Sequence, residues 1–514
     1  MSFLQTTKLR LPTFALTLLI FLGGRVSALC QIKNFDEKGR QLTRLSEAGD
    51  AVDAHDGEIA QFNGTYYLYG TSYDCGFEWG NKGAPFCGFK VYSSKDLVKW
   101  TDQGYLFDAQ TPVWQSRCDG KTYGCFRPHV IYNKLNNNYV LWINVYDNII
   151  GYRVFTSRSP VGPFKEVVEP KLAVNADKPA AGLNNGDHDT FIDDDGQGYI
   201  AYTDWRTKGT IVIEKLSADY LTGTGECVKM VTPGSTEAPG LFKRKGRYYV
   251  TYSDPNCGYC SGTGTSYRTA PNPLGPWSDG ISISRNSCGG QPSFVSTIKI
   301  NSDEIFLYGS DLWNNAAKNE ALANYYWVPL EFDTDGSIKP LQCAEVYQKT
   351  KVVSRQKAVS PSMPEKAVFI AKGTVDKETQ WVQTFVADRN GQLKKLEIAV
   401  FKNHRPDKDL EIYICAVKNG KVQTSAPIFT KIVSAADIGW SAKKVIILPR
   451  LNVKKGNRYS VVLRTGSSVG YYGFLARKAD NLASAKLMSS KDGGNTFIVT
   501  ADETLQIETT IKSL

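Results

Sequence analysis

The stretch NGTYYLY at residues 63–69 joins a two-residue turn to a strand of aromatic residues. Asn-Gly is a strong hairpin signal, because both central positions of a type I′ turn need a positive φ. The same order of turn and strand recurs at 136–142, 195–202, 245–252 and 302–308, and the five strands begin 73, 60, 50 and 56 residues apart. A period of this size, built from hairpins with few helical patterns between them, is typical of a β-propeller. The sequence therefore predicts an all-β protein with five blades; the alternative is a run of hairpins in a large β-sandwich.

A carboxylate precedes three of these strands at a nearly constant distance. Asp56 lies ten residues before the first strand, and Asp187 and Glu237 lie twelve residues before the third and the fourth. If the strands are equivalent, the acids lie at equivalent corners of three blades, and such corners converge on the axis of a radially symmetric fold. Inverting hydrolysis of a glycosidic bond needs one carboxylate as base and one carboxyl group as acid, and a third charge raises the pKa of the acid. The three residues are therefore candidates for a glycosidase site.

Neighbouring acids compete for two of these roles. Asp189 competes with Asp187, which we favour from its distance to the turn at 195–196. Glu58 replaces Asp56 as the functional acid if the register of its strand is off by two, because alternate residues of a strand face opposite sides.

The chain begins with a segment that is typical of a secretory signal. Lys8 and Arg10 give a charged start, residues 11–23 are mostly apolar, and the small residues at 26–28 fit a cleavage site. The apolar stretch is too short for a membrane span. We therefore expect residues 1–28 to be removed and the mature protein to be soluble, secreted and without a membrane partner.

The cysteines agree with an oxidising compartment. The chain has eleven of them, and closely spaced pairs predict loop disulfides. The predicted pairs are Cys75–Cys87, Cys118–Cys125 and Cys257–Cys260. Since the count is odd, at least one thiol has no partner within the chain, and we expect Cys415 to be buried and reduced.

The charge distribution and the histidine content limit which ligands and partners are expected. The net charge is +10, but the basic residues are scattered and no basic run is interleaved with aromatic residues, which argues against nucleic-acid binding. The four histidines show no ligand pairing. We therefore predict a monomer with a polysaccharide or oligosaccharide substrate, no cofactor and no catalytic metal, although an axial calcium or sodium ion stays open.

A change in the sequence pattern divides the chain into two predicted domains. The propeller signal is assigned to residues 29–350, and residues 351–365 are polar, hold two prolines and are predicted to form a linker. Residues 366–514 contain alternating strands split by Asn, Gly and Lys turns, which predicts a β-sandwich. This second domain either binds sugar or braces the catalytic domain.

Three motifs resemble those of glycoside hydrolase family 43. Residues 54–59 are similar to its first-blade motif, residues 187–196 to its third-blade motif and residues 237–242 to its Glu-Gly-Pro motif. The resemblance implies a five-bladed propeller and an inverting mechanism. It also implies that Asp56 is the general base, that Asp187 tunes the acid, and that Glu237 is the general acid.

Within that family the chain looks closest to the exo-β-1,3-galactanase-like branch. Residues 126–133 resemble the second-blade motif of this branch, and residues 290–293 resemble its fifth-blade motif. Phe126 stands where the branch usually has Glu, and Asp56 is present where the branch usually lacks an Asp base. Gln291 is then predicted to contact substrate rather than to replace the base.

Further side chains are candidates for substrate contacts. Arg127 is predicted to clamp substrate or a carboxylate. His55 and His188 flank the proposed carboxylates, and Trp205 is a candidate platform for a sugar face. Other candidate platforms are Trp79, Trp114 and Trp313.

The sequence thus favours a secreted inverting glycosidase acting on wall polysaccharide, with galactan as the first substrate and arabinan or arabinoxylan as the second. A catalytically inactive carbohydrate-binding propeller is the alternative from a different class.

Overall fold

The structure is a computed structural model. It describes residues 32–36, 38–78, 83–118, 124–146, 151–173, 185–254, 262–300, 302–313, 319–343, 369–479, 485–500 and 502–513. The predicted signal segment, the predicted linker, Trp79 and the predicted Cys257–Cys260 pair lie outside the described residues.

Five antiparallel sheets form a propeller. The first contains β1 (His55–Phe62), β2 (Thr65–Thr71), β3 (Phe89–Ser94) and β4 (Thr101–Tyr105). The second contains β5 (Gly124–Asn133), β6 (Asn138–Tyr146), β7 (Arg153–Ser157) and β8 (Lys165–Val168), and the short helix α1 (Pro112–Arg117) precedes it. The third contains β9 (Asn185–Ile192), β10 (Gly198–Asp204), β11 (Thr210–Leu216) and β12 (Gly223–Val228). The fourth contains β13 (Glu237–Arg244), β14 (Arg247–Ser253), β15 (Thr265–Ala270) and β16 (Ile281–Ser284). The fifth contains β17 (Gln291–Ile300), β18 (Asp303–Leu312) and β19 (Asn324–Pro329).

Each predicted turn connects the first and second strands of one sheet, so the predicted five-bladed propeller is confirmed. The first strands form the inner ring: β1 lies against β5, β5 against β9, β9 against β13, β13 against β17, and β17 against β1. Because the ring closes, side chains at the same end of the five inner strands face a common axis.

Every inner strand has a shift of register near its first residues. The paired residues that flank the shift are His55 and Glu58, Phe126 and His129, Asn185 and His188, Glu237 and Gly240, and Pro292 and Phe294. Asp56, Arg127 and Ala238 occupy the same place in three of these bulges, with φ of 56°, 57° and 53°. A bulge bends a strand and redirects its side chains. The five inner strands therefore present irregular backbone at the same end of the propeller.

Buried polar side chains join neighbouring blades. Oε1 of Glu58 accepts a hydrogen bond from Val130 N at 2.5 Å, and Oδ2 of Asp189 accepts one from Leu241 N at 2.6 Å. Both carboxylates thus satisfy backbone N–H groups of the following blade, which would otherwise be buried without a partner.

Two seven-stranded sheets form the predicted β-sandwich. One contains β20 (Ile370–Val375), β22 (Gly391–Asn403), β26 (Lys443–Ile447), β27 (Leu451–Val453), β29 (Tyr471–Lys478), β32 (Glu503–Leu505) and β33 (Ile507–Lys512). The other contains β21 (Gln380–Val386), β23 (Leu410–Lys418), β24 (Lys421–Val422), β25 (Phe429–Val433), β28 (Arg458–Arg464), β30 (Leu487–Ser490) and β31 (Ile498–Thr500). Apolar side chains from both sheets, among them Leu396, Ile412 and Phe474, form the core between them.

The sandwich packs on the propeller through backbone bonds and a shared apolar cluster. Thr43 N donates to Phe369 O at 2.8 Å, and Ala51 N donates to Ala442 O at 2.7 Å. Ala51 packs in one cluster with Phe401 and Leu475 of the sandwich. The two domains therefore share buried surface.

The described residues contain three disulfides. Cys75–Cys87 and Cys118–Cys125 confirm two predicted pairs, whereas Cys288–Cys343, 55 residues apart, was not predicted. Cys415 is buried and free, as expected, and burial raises the pKa of its thiol to about 11. No described helix is long and apolar enough to cross a membrane.

Candidate active site

Asp56 lies in the bulge of β1 and is 5% exposed. Its Oδ1 accepts hydrogen bonds from Thr71 Oγ1 at 2.8 Å and from Arg127 N at 3.2 Å, and its Oδ2 accepts one from the Tyr73 hydroxyl at 3.0 Å. Since each carboxylate oxygen accepts two hydrogen bonds, the described donors fill three of four acceptor sites. Asp56 is a fixed carboxylate with one acceptor site on Oδ2 left for a water or a sugar hydroxyl.

Asp187, in the bulge of β9, forms a buried ion pair with Arg127 of β5. Nη2 of Arg127 donates to Oδ2 of Asp187 at 2.8 Å, and Nη1 donates to Pro292 O at 3.1 Å. The backbone N–H of the same arginine bonds Asp56. Arg127 therefore holds the carboxylates of blades one and three at one end of the axis and ties both to blade five.

Glu237 is the first residue of β13 and is partly exposed. Its Oε1 accepts a hydrogen bond from Gln291 Nε2 at 2.6 Å, and the Oε1 of Gln291 accepts one from Trp313 Nε1 at 3.2 Å. The indole fixes which way the Gln291 amide points, because the indole N–H only donates. Gln291 thus presents its NH₂ group to Glu237.

Burial and neighbouring charges shift two of the three acids. Burial raises the pKa of Asp56 to about 7, Asp311 adds to the rise, and Arg127 opposes it. Burial and the charge of Asp187 raise the pKa of Glu237 to about 7, against the opposing effects of Arg127 and Gln291. Asp187 therefore acts on Glu237 in the direction expected of a modulator.

The three acids lie at the bulges of three different blades but do not occupy equivalent positions in them, which corrects the expectation from their spacing. Glu237 is the residue before the bulge and corresponds to His55 and Phe126. Asp56 is one position further on, and Asp187 is two positions further on. The three carboxylates therefore stand at different offsets along their inner strands.

The competing acids belong to a separate cluster. Glu58, His129 and Asp189 are buried, and their potential ligand atoms lie within 4.8 Å of one another, which is metal-ligand spacing. His129 Nδ1 lies 3.0 Å from Asp189 Oδ1. Burial alone would lower the pKa of His129, but the charges of Glu58 and Asp189 raise it. Because the two carboxylates also accept backbone N–H groups of the next blades, this cluster joins blades and is chemically distinct from the Asp56 site.

His55 and His188 are buried, with exposed fractions of 0% and 1%, so neither ring offers the substrate contact that we predicted for it. His55 stacks on Tyr325 at 4.9 Å and lies 3.4 Å from Asp311. Burial and the neighbouring His129 hold the pKa of His188 well below its usual value. Both rings are therefore buried packing groups next to the carboxylates.

The candidate sugar platforms differ in position. Trp205 is partly exposed and lies against Gly186, where a Cβ would come within 2.8 Å of the indole nitrogen. Trp205 therefore lies against the residue that precedes Asp187 in β9. Trp114 packs in the core against Phe107, and Trp313 is nearly buried beside Gln291.

Three supporting residues were not predicted from the sequence. Thr71 is the last residue of β2, Tyr73 follows that strand, and both donate to Asp56; the aromatic residues of β2 were the available signal. Asp311 accepts the backbone N–H of Asp56 at 3.0 Å and also the hydroxyl of Ser293. A lone acid at the end of β18, 255 residues from Asp56, gave no sequence signal.

Residues 50–291 match the family model of Glycosyl hydrolases family 43. This region covers four blades and all three candidate acids, and the match confirms the predicted resemblance to glycosyl hydrolase family 43.

Two curated relatives match parts of the chain. The chain is 28% identical over 231 residues to a β-D-galactofuranosidase of Aspergillus niger, matching 43% of this chain and 62% of the relative. It is 26% identical over 266 residues to an arabinoxylan arabinofuranohydrolase of Bacillus subtilis, matching 45% of this chain and 51% of the relative. The chain thus spans between one half and two thirds of the length of these relatives.

A solved exo-β-1,3-galactanase of Clostridium thermocellum has a similar fold. It is 19% identical, with a TM-score of 0.50, and the match covers 92% of this chain and 98% of that chain. The likeness extends over both domains and concerns the fold alone.

Proposed function

We propose that this protein is a secreted, monomeric, inverting glycoside hydrolase of wall polysaccharides, with Asp56 as general base, Glu237 as general acid and Asp187 as the group that tunes Glu237. One observation carries the proposal: Arg127 bonds both Asp56 and Asp187, while the charge of Asp187 raises the pKa of Glu237. The site therefore combines a fixed base with a tuned acid, as inversion requires.

Asp56 suits the removal of a proton from water. The described donors leave one acceptor site on Oδ2, so an approaching water has one place to bind. Burial raises the pKa of Asp56 to about 7, which makes the ionised group a stronger base than an exposed aspartate. The water then attacks the anomeric carbon from the face opposite the leaving group.

Glu237 suits donation of a proton to the departing oxygen. A pKa of about 7 keeps a large share of the group protonated near neutral pH. Because Gln291 donates to Oε1, the proton of the acid belongs on Oε2, the oxygen free to face the substrate. After the reaction Arg127 and Gln291 stabilise the ionised form.

For the substrate we propose a galactan first and an arabinose-bearing polysaccharide second. The curated relatives are named for a galactose and an arabinose glycoside, and L-arabinose and D-galactose share the configuration of their common ring carbons. We propose that Trp205, which is partly exposed and lies against Gly186 of β9, stacks on the bound sugar. The three disulfides support secretion.

An alternative function is carbohydrate binding without hydrolysis. The observation that favours it is Phe126, which stands beside Arg127 where related enzymes of the galactanase-like branch have Glu. Its ring packs 5.7 Å from Phe77 and is 6% exposed. A phenyl side chain at this position brings no charge to the site.

The deciding experiment incubates the purified protein with galactans, arabinans and arabinoxylans and measures released reducing sugar. We expect release by the wild type and a loss of about 100-fold or more in Glu237→Gln. Asp407→Asn, in a sandwich loop away from the site, is the matched control and should keep full activity. Proton NMR of the first product should show the inverted anomer; a retained anomer contradicts the mechanism, and tight binding without turnover supports the alternative.

A further inference from the structure

The β-sandwich contacts the propeller beside the candidate active site through one loop. Residues 439–443, here called the brace loop, connect the segment after β25 to β26 and approach residues 72–76, here called the Tyr73 loop. The Tyr73 loop follows β2 and carries the hydroxyl that donates to Asp56. This pair of loops links the second domain to the proposed base.

Asp74 is the centre of the contact. Its Oδ1 accepts hydrogen bonds from both the backbone N and the Oγ of Ser441, each at 2.7 Å, and its Oδ2 forms an ion pair with Lys443. Ser441 is fully buried. A carboxylate of the propeller is thus satisfied by donors of the sandwich, and removing it would leave buried donors without their partner.

Close packing adds to these bonds. The ring of Trp440 lies against Gly76, where a Cβ would come within 2.6 Å of Cζ2, and Gly76 has φ of +84°. Lys402 lies 4.2 Å from the centre of the same ring, at a cation–π distance. Asn319 of blade five donates to the backbone oxygens of Lys402 at 3.1 Å and Trp440 at 3.4 Å. The brace loop is therefore held from both domains.

The contact between the two loops is directly linked to the candidate site. Tyr73 is the residue before Asp74, and its ring lies 5.6 Å from that of Trp313, edge to face. Trp313 in turn donates to Gln291, which donates to Glu237. Trp440 packs against the apolar cluster that contains Tyr73 and Trp313. One packed cluster thus supports the partners of both the proposed base and the proposed acid.

We propose that the β-sandwich is a working part of the catalytic centre: the brace loop fixes the Tyr73 loop and thereby holds the Tyr73 hydroxyl on Asp56. Asp74, Trp440 and Ser441 are then positioning residues that act through Tyr73. The expected effect on catalysis rests on the proposed function, whereas the fixing of the Tyr73 loop by the brace loop does not.

The first test is hydrogen exchange of the full-length protein, which needs no activity. In Asp74→Ala we expect the backbone amides of residues 72–78 to exchange about tenfold faster than in the wild type, because the loop opens locally. Asp407→Ala is the matched control, since Asp407 likewise accepts the hydroxyl of Ser467 and backbone N–H groups within a sandwich loop. Unchanged exchange at residues 72–78 in Asp74→Ala overturns the proposal.

The second test is a double-mutant cycle of Asp74→Ala with Tyr73→Phe. If Asp74 acts through Tyr73, each single change lowers kcat about tenfold, KM changes less than about twofold, and the double variant is no worse than the single ones. The acidic limb of the pH profile should move to higher pH in both, because a hydrogen bond to the ionised form of Asp56 is lost. Additive losses in kcat overturn the proposal.

Ser441→Ala is the milder variant in case Asp74→Ala does not fold, and it should show the same exchange and pH effects to a smaller extent. If the wild type hydrolyses none of the polysaccharides, the proposed function fails, while hydrogen exchange still decides whether the brace loop holds the Tyr73 loop.

Discussion

The corners of blades one and four carry Asp56 and Glu237, and each corner contains a bulge in its inner strand. The two corners differ in the groups that surround the carboxyl group. Asp56 of blade one is buried and accepts hydrogen bonds from Thr71, Tyr73 and Arg127. Glu237 of blade four is partly exposed and accepts one from Gln291. The hydrogen bonds to Asp56 favour its ionised form and oppose the burial that raises its pKa to about 7, whereas the charge of Asp187 favours the protonated form of Glu237. The same kind of bulge thus carries the two groups that we propose as base and acid.

The largest expected effect comes from removing the charge of the blade-one corner. Asp56→Asn should lower kcat by about 10³-fold or more, because the amide cannot take the proton from water. The loss should be the same for polysaccharides and for aryl glycosides with activated leaving groups, since both reactions need the nucleophilic water. A variant that keeps more than about a tenth of the activity would contradict the assignment of the base.

The second prediction separates the two corners by their leaving-group dependence. Glu237→Gln should lose about 100-fold or more on polysaccharide but less than about tenfold on activated aryl glycosides, whose leaving groups need no proton. Kinetic assays with a series of leaving groups measure the difference. Equal losses of activity across the series would contradict the assignment of Glu237 as the acid and Asp56 as the base.

The third prediction concerns the charge that tunes the blade-four corner. Asp187→Asn should lower kcat about 10–100-fold and move the alkaline limb of the pH profile to lower pH. The sign follows because the charge of Asp187 raises the pKa of Glu237, so its removal lets the acid ionise at lower pH. Asp193→Asn, in the turn of the same blade, should leave the limb unchanged. A limb that stays in place in Asp187→Asn contradicts the tuning role.

The smallest expected effect is on stability. The pKa of Asp56 is about 7 in the folded protein, against 3.8 for an unperturbed aspartate, so the folded state binds this proton more tightly than the unfolded state. Its contribution to stability is fully present below about pH 4 and is lost as the pH rises through 7. Asp56→Asn should therefore unfold with a free energy about 1–2 kcal/mol above that of the wild type at pH 8, and the gap should close at pH 4. Urea unfolding at the two pH values measures it, and a gap that widens toward acid would reverse the sign of the shift.

The fold was predictable because its signals are local. A two-residue turn such as Asn63-Gly64 and the strand after it lie within seven residues, and the closure of five copies into a ring follows from their number. The predicted acids are likewise at one end of the ring because each precedes its strand by a similar distance. The two disulfides with short separations were predictable for the same reason.

The surroundings of the acids were not predictable from the sequence. The hydrogen-bond partners of Asp56 depend on bulges in several strands. Asp311, which accepts the backbone N–H of Asp56, is 255 residues away in the sequence. His55 stands next to Asp56 in the chain, yet the bulge turns its ring into the core against Tyr325. Alternation along a regular strand does not describe residues at a bulge.

The recurring bulge has a consequence for how such a protein evolves. Glu237 precedes the bulge of blade four at the position that His55 holds in blade one and Phe126 in blade two, so the same backbone position carries an imidazole, a phenyl ring or a carboxyl group. A catalytic group can therefore migrate from blade to blade by point substitution while the fold stays constant. Homologous propellers can then share an ancestry and a reaction without sharing the residue that performs a given step.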